Sequence, residues 1–105
     1  MPQFDVYTNT NPLSKDIYPF LIDVQSSLLE NLGTRLVIPV ILKSKYNNKA
    51  IKNLTPSISI KSQDFFVLTP QIAAINKNKL GKVLENCKTY RNDIISSIDF
   101  LITGF

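Results

Sequence analysis

The sequence predicts a mainly β protein of the α+β kind: a small, partly open barrel or sheet with one helix packed on it. Apolar residues fall in short stretches over the first two-thirds of the chain, either alternating with polar ones or running unbroken. Clusters of Asn, Pro, Ser and Gly separate those stretches, as turns between strands require. From Tyr90 onward the apolar spacing changes to three and four, the period of a helix face. At 105 residues and 44% hydrophobic, the chain has the length and apolar content to build the core of one domain spanning 1–105.

Taken in order, Phe4-Asp5-Val6-Tyr7 alternates as a half-buried strand does, and 8–16 reads as a loop. Tyr18, Phe20, Ile22 and Val24 share one face of a second strand, with Leu21, Asp23 and Gln25 on the other. Gly33-Thr34 marks a turn. The apolar run Leu36–Leu42 suits a strand buried on both faces, where Pro39 implies a bulge or an edge. Residues 43–53 read as a polar loop or a short excursion. Ser57–Lys61 and Asp64–Leu68 read as a hairpin about Ser62 and Gln63, and Ile72–Ile75 as a further short strand. In the helix, Tyr90, Ile94, Ile98, Leu101, Ile102 and Phe105 line one side. Thr89 is the expected N-cap, Asp93 complements the dipole, and Thr103-Gly104 ends the helix.

Composition excludes several chemistries. There is no histidine and one cysteine, Cys87. Intrachain disulfides, His/Cys zinc sites, Ser-His-Asp triads and Cys-His pairs are therefore ruled out within one chain, and no cofactor is expected. No basic-pocket signature marks Cys87 as reactive, and it reads as an inert small residue. The longest apolar run has seven residues and the N-terminus lacks a secretion signal, so a cytoplasmic protein without a membrane partner is expected.

The net charge of +4 is unevenly spread. Residues 43–82 hold eight lysines against Asp64 alone, whereas the flanking segments are mildly acidic. A nucleic-acid face is one reading of Lys43, Lys45, Lys49, Lys52, Lys77, Lys79 and Lys82. A solvated loop surface fits better, because aromatics interleave poorly and arginine is scarce. Asp23 and Glu30 do not make a supported acid–base pair, and Arg35 reads as a strand or dimer contact. The apolar residues of the helix are first of all core, yet the apolar Ile-Thr-Gly-Phe ending is either tucked in or held for a partner.

Phe4-x-Val6-Tyr7, Asp23-Val24-Gln25-Ser26, Arg35-x-Val37-Ile38-Pro39, then Asn92-Asp93-Ile94 with Ile98, and Gly104, follow one another in this order. That series resembles the CcdB family of toxins from toxin–antitoxin systems. The likeness runs end to end, loosely over 43–85, and rests on the joint order and spacing of these short pieces. The resemblance implies a homodimer with a partly open, SH3-like barrel and a long C-terminal helix. Such a toxin is not an enzyme: it binds the A subunit of DNA gyrase, traps the enzyme on cut DNA, and is neutralised by a CcdA-like antitoxin.

By the same resemblance the gyrase contact falls on Thr103, Gly104 and Phe105, with Asp99 one turn earlier and the apolar pair Leu28 and Leu29. The family's usual ending is Trp-Gly-Ile. Thr103 departs from that pattern, so either Phe105 takes over as aromatic anchor or poisoning is weaker. Tyr7 and the 43–52 loop, with Lys43, Lys45 and Lys49, lie in regions comparable to those the family gives to the antitoxin, whose acidic tail a basic surface would steer. Direct nucleic-acid binding is not expected of such a toxin. Two other functions remain open at this point: an endoribonuclease toxin on the same fold, and a basic nucleic-acid or protein-binding module.

Overall fold

The computed structural model describes residues 2–104. Among these, seven strands form one antiparallel, curled sheet, a half-barrel closed on its concave side by a C-terminal helix. The strands are β1 (Asp5–Asn9), β2 (Phe20–Asp23), β3 (Thr34–Leu42), β4 (Ser57–Ile60), β5 (Gln63–Val67), β6 (Ala73–Asn76) and β7 (Leu80–Asn86); the helix is α1 (Arg91–Thr103). The sheet order is β4-β5-β3-β2-β1-β7, with β6 also paired to β3. No helix among the described residues is long and apolar enough to cross a membrane.

Period-two alternation builds the core as expected. Phe4 and Val6, Ile22 and Val24, Ile38 and Val40, Ile58 and Ile60, and Phe65 and Val67 point inward from successive strands onto Cys87 and Ile94. Phe20 packs at the edge of this cluster, edge-on to Phe65 at 5.5 Å. Tyr18 does not continue that face. It lies in the loop before β2, because Asn9 donates to the Tyr18 carbonyl and to Ser14 and so folds residues 10–19 back on themselves.

β3 is the spine of the sheet. It pairs with β2 along one edge, and along the other with β6 at Thr34–Val37 and β5 at Val40–Leu42. Pro39 is neither at a bulge nor on an outer edge strand. Its carbonyl accepts from Leu68 N at 3.0 Å, so its nitrogen faces the same gap between β5 and β6. There a missing N–H costs no ladder bond. The hairpin turn is Lys61-Ser62, one residue earlier than expected, with φ of 53° and 66°. That is the type I′ geometry that matches the twist of β4 and β5.

Two features were not anticipated. β7 has no counterpart among the strands expected from the sequence, yet it pairs with β1 over its length. Register shifts on either side of Tyr7 break the alternation that would have marked it. Gly81 fits this crowded stretch, since a Cβ there would collide with the Thr8 side chain and stand 2.8 Å from its carbonyl oxygen. At the helix start, Thr89 is not the N-cap. A 3₁₀ turn at Lys88–Tyr90 precedes α1, Asn86 Oδ1 accepts from Lys88 N, and Tyr90 is the cap residue, its hydroxyl accepting from Ser59 N rather than capping the helix. Asp93 does sit in the first turn, and Gly104, at φ 79°, ends the helix with its N–H on Phe100 O.

Candidate functional site

The inner face of α1 is short. Ile94 and Ser97 are buried, and Ile95, Ile98 and Tyr90 pack partly against the core. The expected stripe does not continue: Leu101 is 38% exposed and Ile102 75%. The helix packs mainly on the 3₁₀ turns Lys88–Tyr90 and Thr69–Gln71, and its last turn stands exposed at Leu101 and Ile102. An apolar turn held clear of the core is costly in water unless something covers it.

On that turn Asp99 is exposed, and its carbonyl accepts from Thr103 Oγ1 at 2.7 Å. With its hydroxyl directed back into the helix, Thr103 leaves its methyl group as the outward surface. Gly104 is exposed and left-handed, which turns the chain away from the helix axis. Asp99, Thr103 and Gly104 are thus brought together on one turn. Phe105 lies outside the described residues.

Leu28 and Leu29 sit on a separate 3₁₀ turn, Ser27–Leu29, and are 92% and 49% exposed. The turn's presentation follows from the residues that most resemble the family. Asp23 and Arg35, both fully buried, form an ion pair across β2 and β3 with Nε–Oδ2 at 2.8 Å and Nη2–Oδ1 at 3.1 Å. Arg35 Nη2 also donates to the Gln25 carbonyl, Gln25 Oε1 accepts from Leu36 N, and Asp23 Oδ1 accepts from Gln25 N. Ser26 then caps the turn by accepting from Leu28 N. Arg35 therefore holds a strand to its neighbour, as one sequence reading had it, and Asp23-Val24-Gln25-Ser26 is scaffold for an exposed leucine pair. The 27–29 turn is not among the elements on which α1 mainly packs, and the tip and the leucine pair are two exposed apolar points on one chain.

Tyr7 is buried in β1, and burial raises its pKa, with Asp5 and Asp23 adding to the rise. Lys43, Lys45 and Lys49 are exposed on the segment after β3. Lys43 Nζ lies 5.1 Å from the Phe66 ring centroid, and Phe66 meets Tyr46 at a tilt, with ring centroids 5.3 Å apart. The lysines thus present charge to solvent, whereas Tyr7 presents little. Cys87 is buried against the Phe4 carbonyl, its thiol pushed up to about 12 by burial, which leaves it protonated and unreactive near neutrality.

On the convex side a half-open hollow of about 620 Å³ lies over Leu21, Val37, Pro39, Ala73 and Ile75, rimmed by residues such as Tyr18, Gln71 and Lys79. Its described lining holds no carboxylate and no arginine. Among the described residues no group of three or more His, Cys, Asp or Glu is placed to hold a metal ion.

A curled antiparallel half-barrel with one C-terminal helix, whose last turn is apolar and exposed, defines the class of small β protein. Comparison with protein-family models matches residues 3–104 to the family described as CcdB protein. The chain belongs to the CcdB family, whose members are toxins of toxin–antitoxin systems.

Proposed function

We propose that this toxin binds the A subunit of DNA gyrase as a homodimer and holds the enzyme in its DNA-cleaved state. The observation that supports this most is the apolar last turn of α1, projecting at Leu101 and Ile102 with Asp99, Thr103 and Gly104 beside it. A twofold toxin suits a twofold target, because one isologous dimer places two identical tips symmetrically. Binding the cleaved state better than the resealed one is sufficient to keep DNA broken, with no catalytic step by the toxin. Leu28 and Leu29 widen the contact. Phe105 is the aromatic anchor in place of the family's tryptophan, since Thr103 offers a methyl group only.

A CcdA-like antitoxin neutralises the toxin in this reading, drawn to Lys43, Lys45 and Lys49 by its acidic tail. The endoribonuclease alternative has less in its favour. Cleavage of RNA needs a base and a charge stabiliser at the phosphate, and Asp23 and Arg35 are spent on each other in the interior.

The test mixes purified protein with gyrase, ATP and supercoiled plasmid, then adds detergent and protease, with total RNA as a parallel substrate. Linear DNA that requires both proteins is expected, with RNA intact. Unchanged supercoiling without linear product would rule out gyrase as the target, and degraded RNA would move the assignment to the ribonuclease.

A further inference from the structure

We propose that a buried hydroxyl pair, Thr69 with Ser97, is the pivot that aims the projecting turn of α1. The proposal rests on the reading of that turn as the gyrase contact and adds the residues that orient it. Ser97 is 1% exposed and Thr69 fully buried, and their hydroxyl oxygens stand 2.8 Å apart. Ser97 Oγ also lies 2.7 Å from the Ile94 carbonyl, which can only accept. The single Ser97 proton therefore goes to Ile94, and Thr69 is the donor to Ser97. The result is a directed chain from the 69–71 turn, through Ser97, into the helix backbone.

A serine in a helix commonly bonds back to its own preceding turn, and that alone would mean little. Here the second bond crosses 28 residues of sequence to another element. Position 97 lies on the inner face with Ile94 and Ile98, where a plain apolar residue would pack without needing any partner. Apolar contacts are non-directional, so Ile94, Ile95 and Ile98 hold the helix down while tolerating some rotation about its axis and some tilt. A buried hydroxyl pair does not tolerate them, because losing its geometry leaves unsatisfied polar groups in the core.

The pair is also the last fully buried point of the helix before the free end. Thr103 lies roughly 9 Å further along the axis, so a tilt of about 10° at Ser97 moves it by about 1.5 Å. Rotation about the axis acts differently, because it turns Ile102 away and brings Asp99, about 60° around the helix, toward the surface offered to a partner. Ser97 and Thr69 touch no partner themselves; they are positioning residues acting through Leu101, Ile102 and Thr103.

The test compares Thr69→Val/Ser97→Ala, which removes both hydroxyls at nearly constant shape, with Ser97→Ala alone and with Thr69→Ser, which keeps the bond. Each is checked for folding by thermal unfolding. Residual dipolar couplings of the amides at 99–103, measured against those of β1–β5, report the direction and order of the tip without gyrase. The double variant and Ser97→Ala are expected to shift or average these couplings while the sheet couplings hold. In the plasmid assay they are expected to need at least tenfold more protein for linear DNA, and Thr69→Ser is expected to match the parent. Unchanged tip couplings in Ser97→Ala and the double variant would overturn the pivot. A parent protein that leaves gyrase untouched would remove the target, while the couplings would still decide the pivot.

Discussion

Asp23 and Arg35 show how one residue pair governs a remote surface. Each is buried and charged, a condition that is tolerable only because the two meet bidentately and also satisfy the Gln25 backbone. Asp23→Asn leaves Arg35 buried without its counter-charge, and urea unfolding is expected to show a loss of about 3 kcal/mol. Cys87 gives a pH signature. Its folded pKa of about 12 lies above its ordinary 9.0, so between these values the unfolded chain releases a proton that the folded chain keeps. Stability is therefore full below pH 9 and falls as pH rises through the folded value, and burial of Tyr7 acts in the same sense. Cys87→Ala is expected to flatten that alkaline decline by close to one proton, measured by denaturant titration from pH 8 to 11. The sequence alone suggested both the inertness of this thiol and a structural role for Arg35. It did not show that Asp23 is Arg35's partner, because an acid twelve residues away is made adjacent only by the β2–β3 register.

Elements with a strong local period were the legible ones. The β4–β5 hairpin was placed to within one residue and the α1 end at Gly104 was found, because turn geometry and left-handed caps are set by neighbours in sequence. The type I′ turn carries Lys61 and Ser62 at positive φ, a conformation that favours Asn and Gly. Replacing the pair with Asn-Gly is expected to stabilise the protein by about 1 kcal/mol, read as a higher melting temperature. What escaped were the features set across the sheet. β7 follows a bulged register on β1, and Pro39 sits where β3 changes partners, neither of which has a local signature. The helix stripe misled in another way: its period ran past Ile98, but the sheet beneath it did not, so Leu101 and Ile102 are exposed rather than core.

For the whole molecule, family, curled sheet and terminal helix agree. The pieces of the sequence that resemble the family most turn out to be the lock beneath Leu28 and Leu29, while the tip departs from it at Thr103. In the proposed gyrase contact an aliphatic turn stands where the family's usual ending has a tryptophan, and the basic 43–52 segment is proposed for the antitoxin. The tip being exposed, Ile102→Asp is expected to change stability by no more than about 0.5 kcal/mol, which makes it a clean probe of contact. The most direct measurement is calorimetric titration of the gyrase A subunit with the parent protein and with Ile102→Asp. Saturable binding by the parent is expected, with one toxin dimer per pair of gyrase A chains, and at least a hundredfold weaker binding by a variant of unchanged melting temperature. Equal binding by the two proteins would contradict the assignment of the helix tip, and no binding by either would contradict gyrase as the partner.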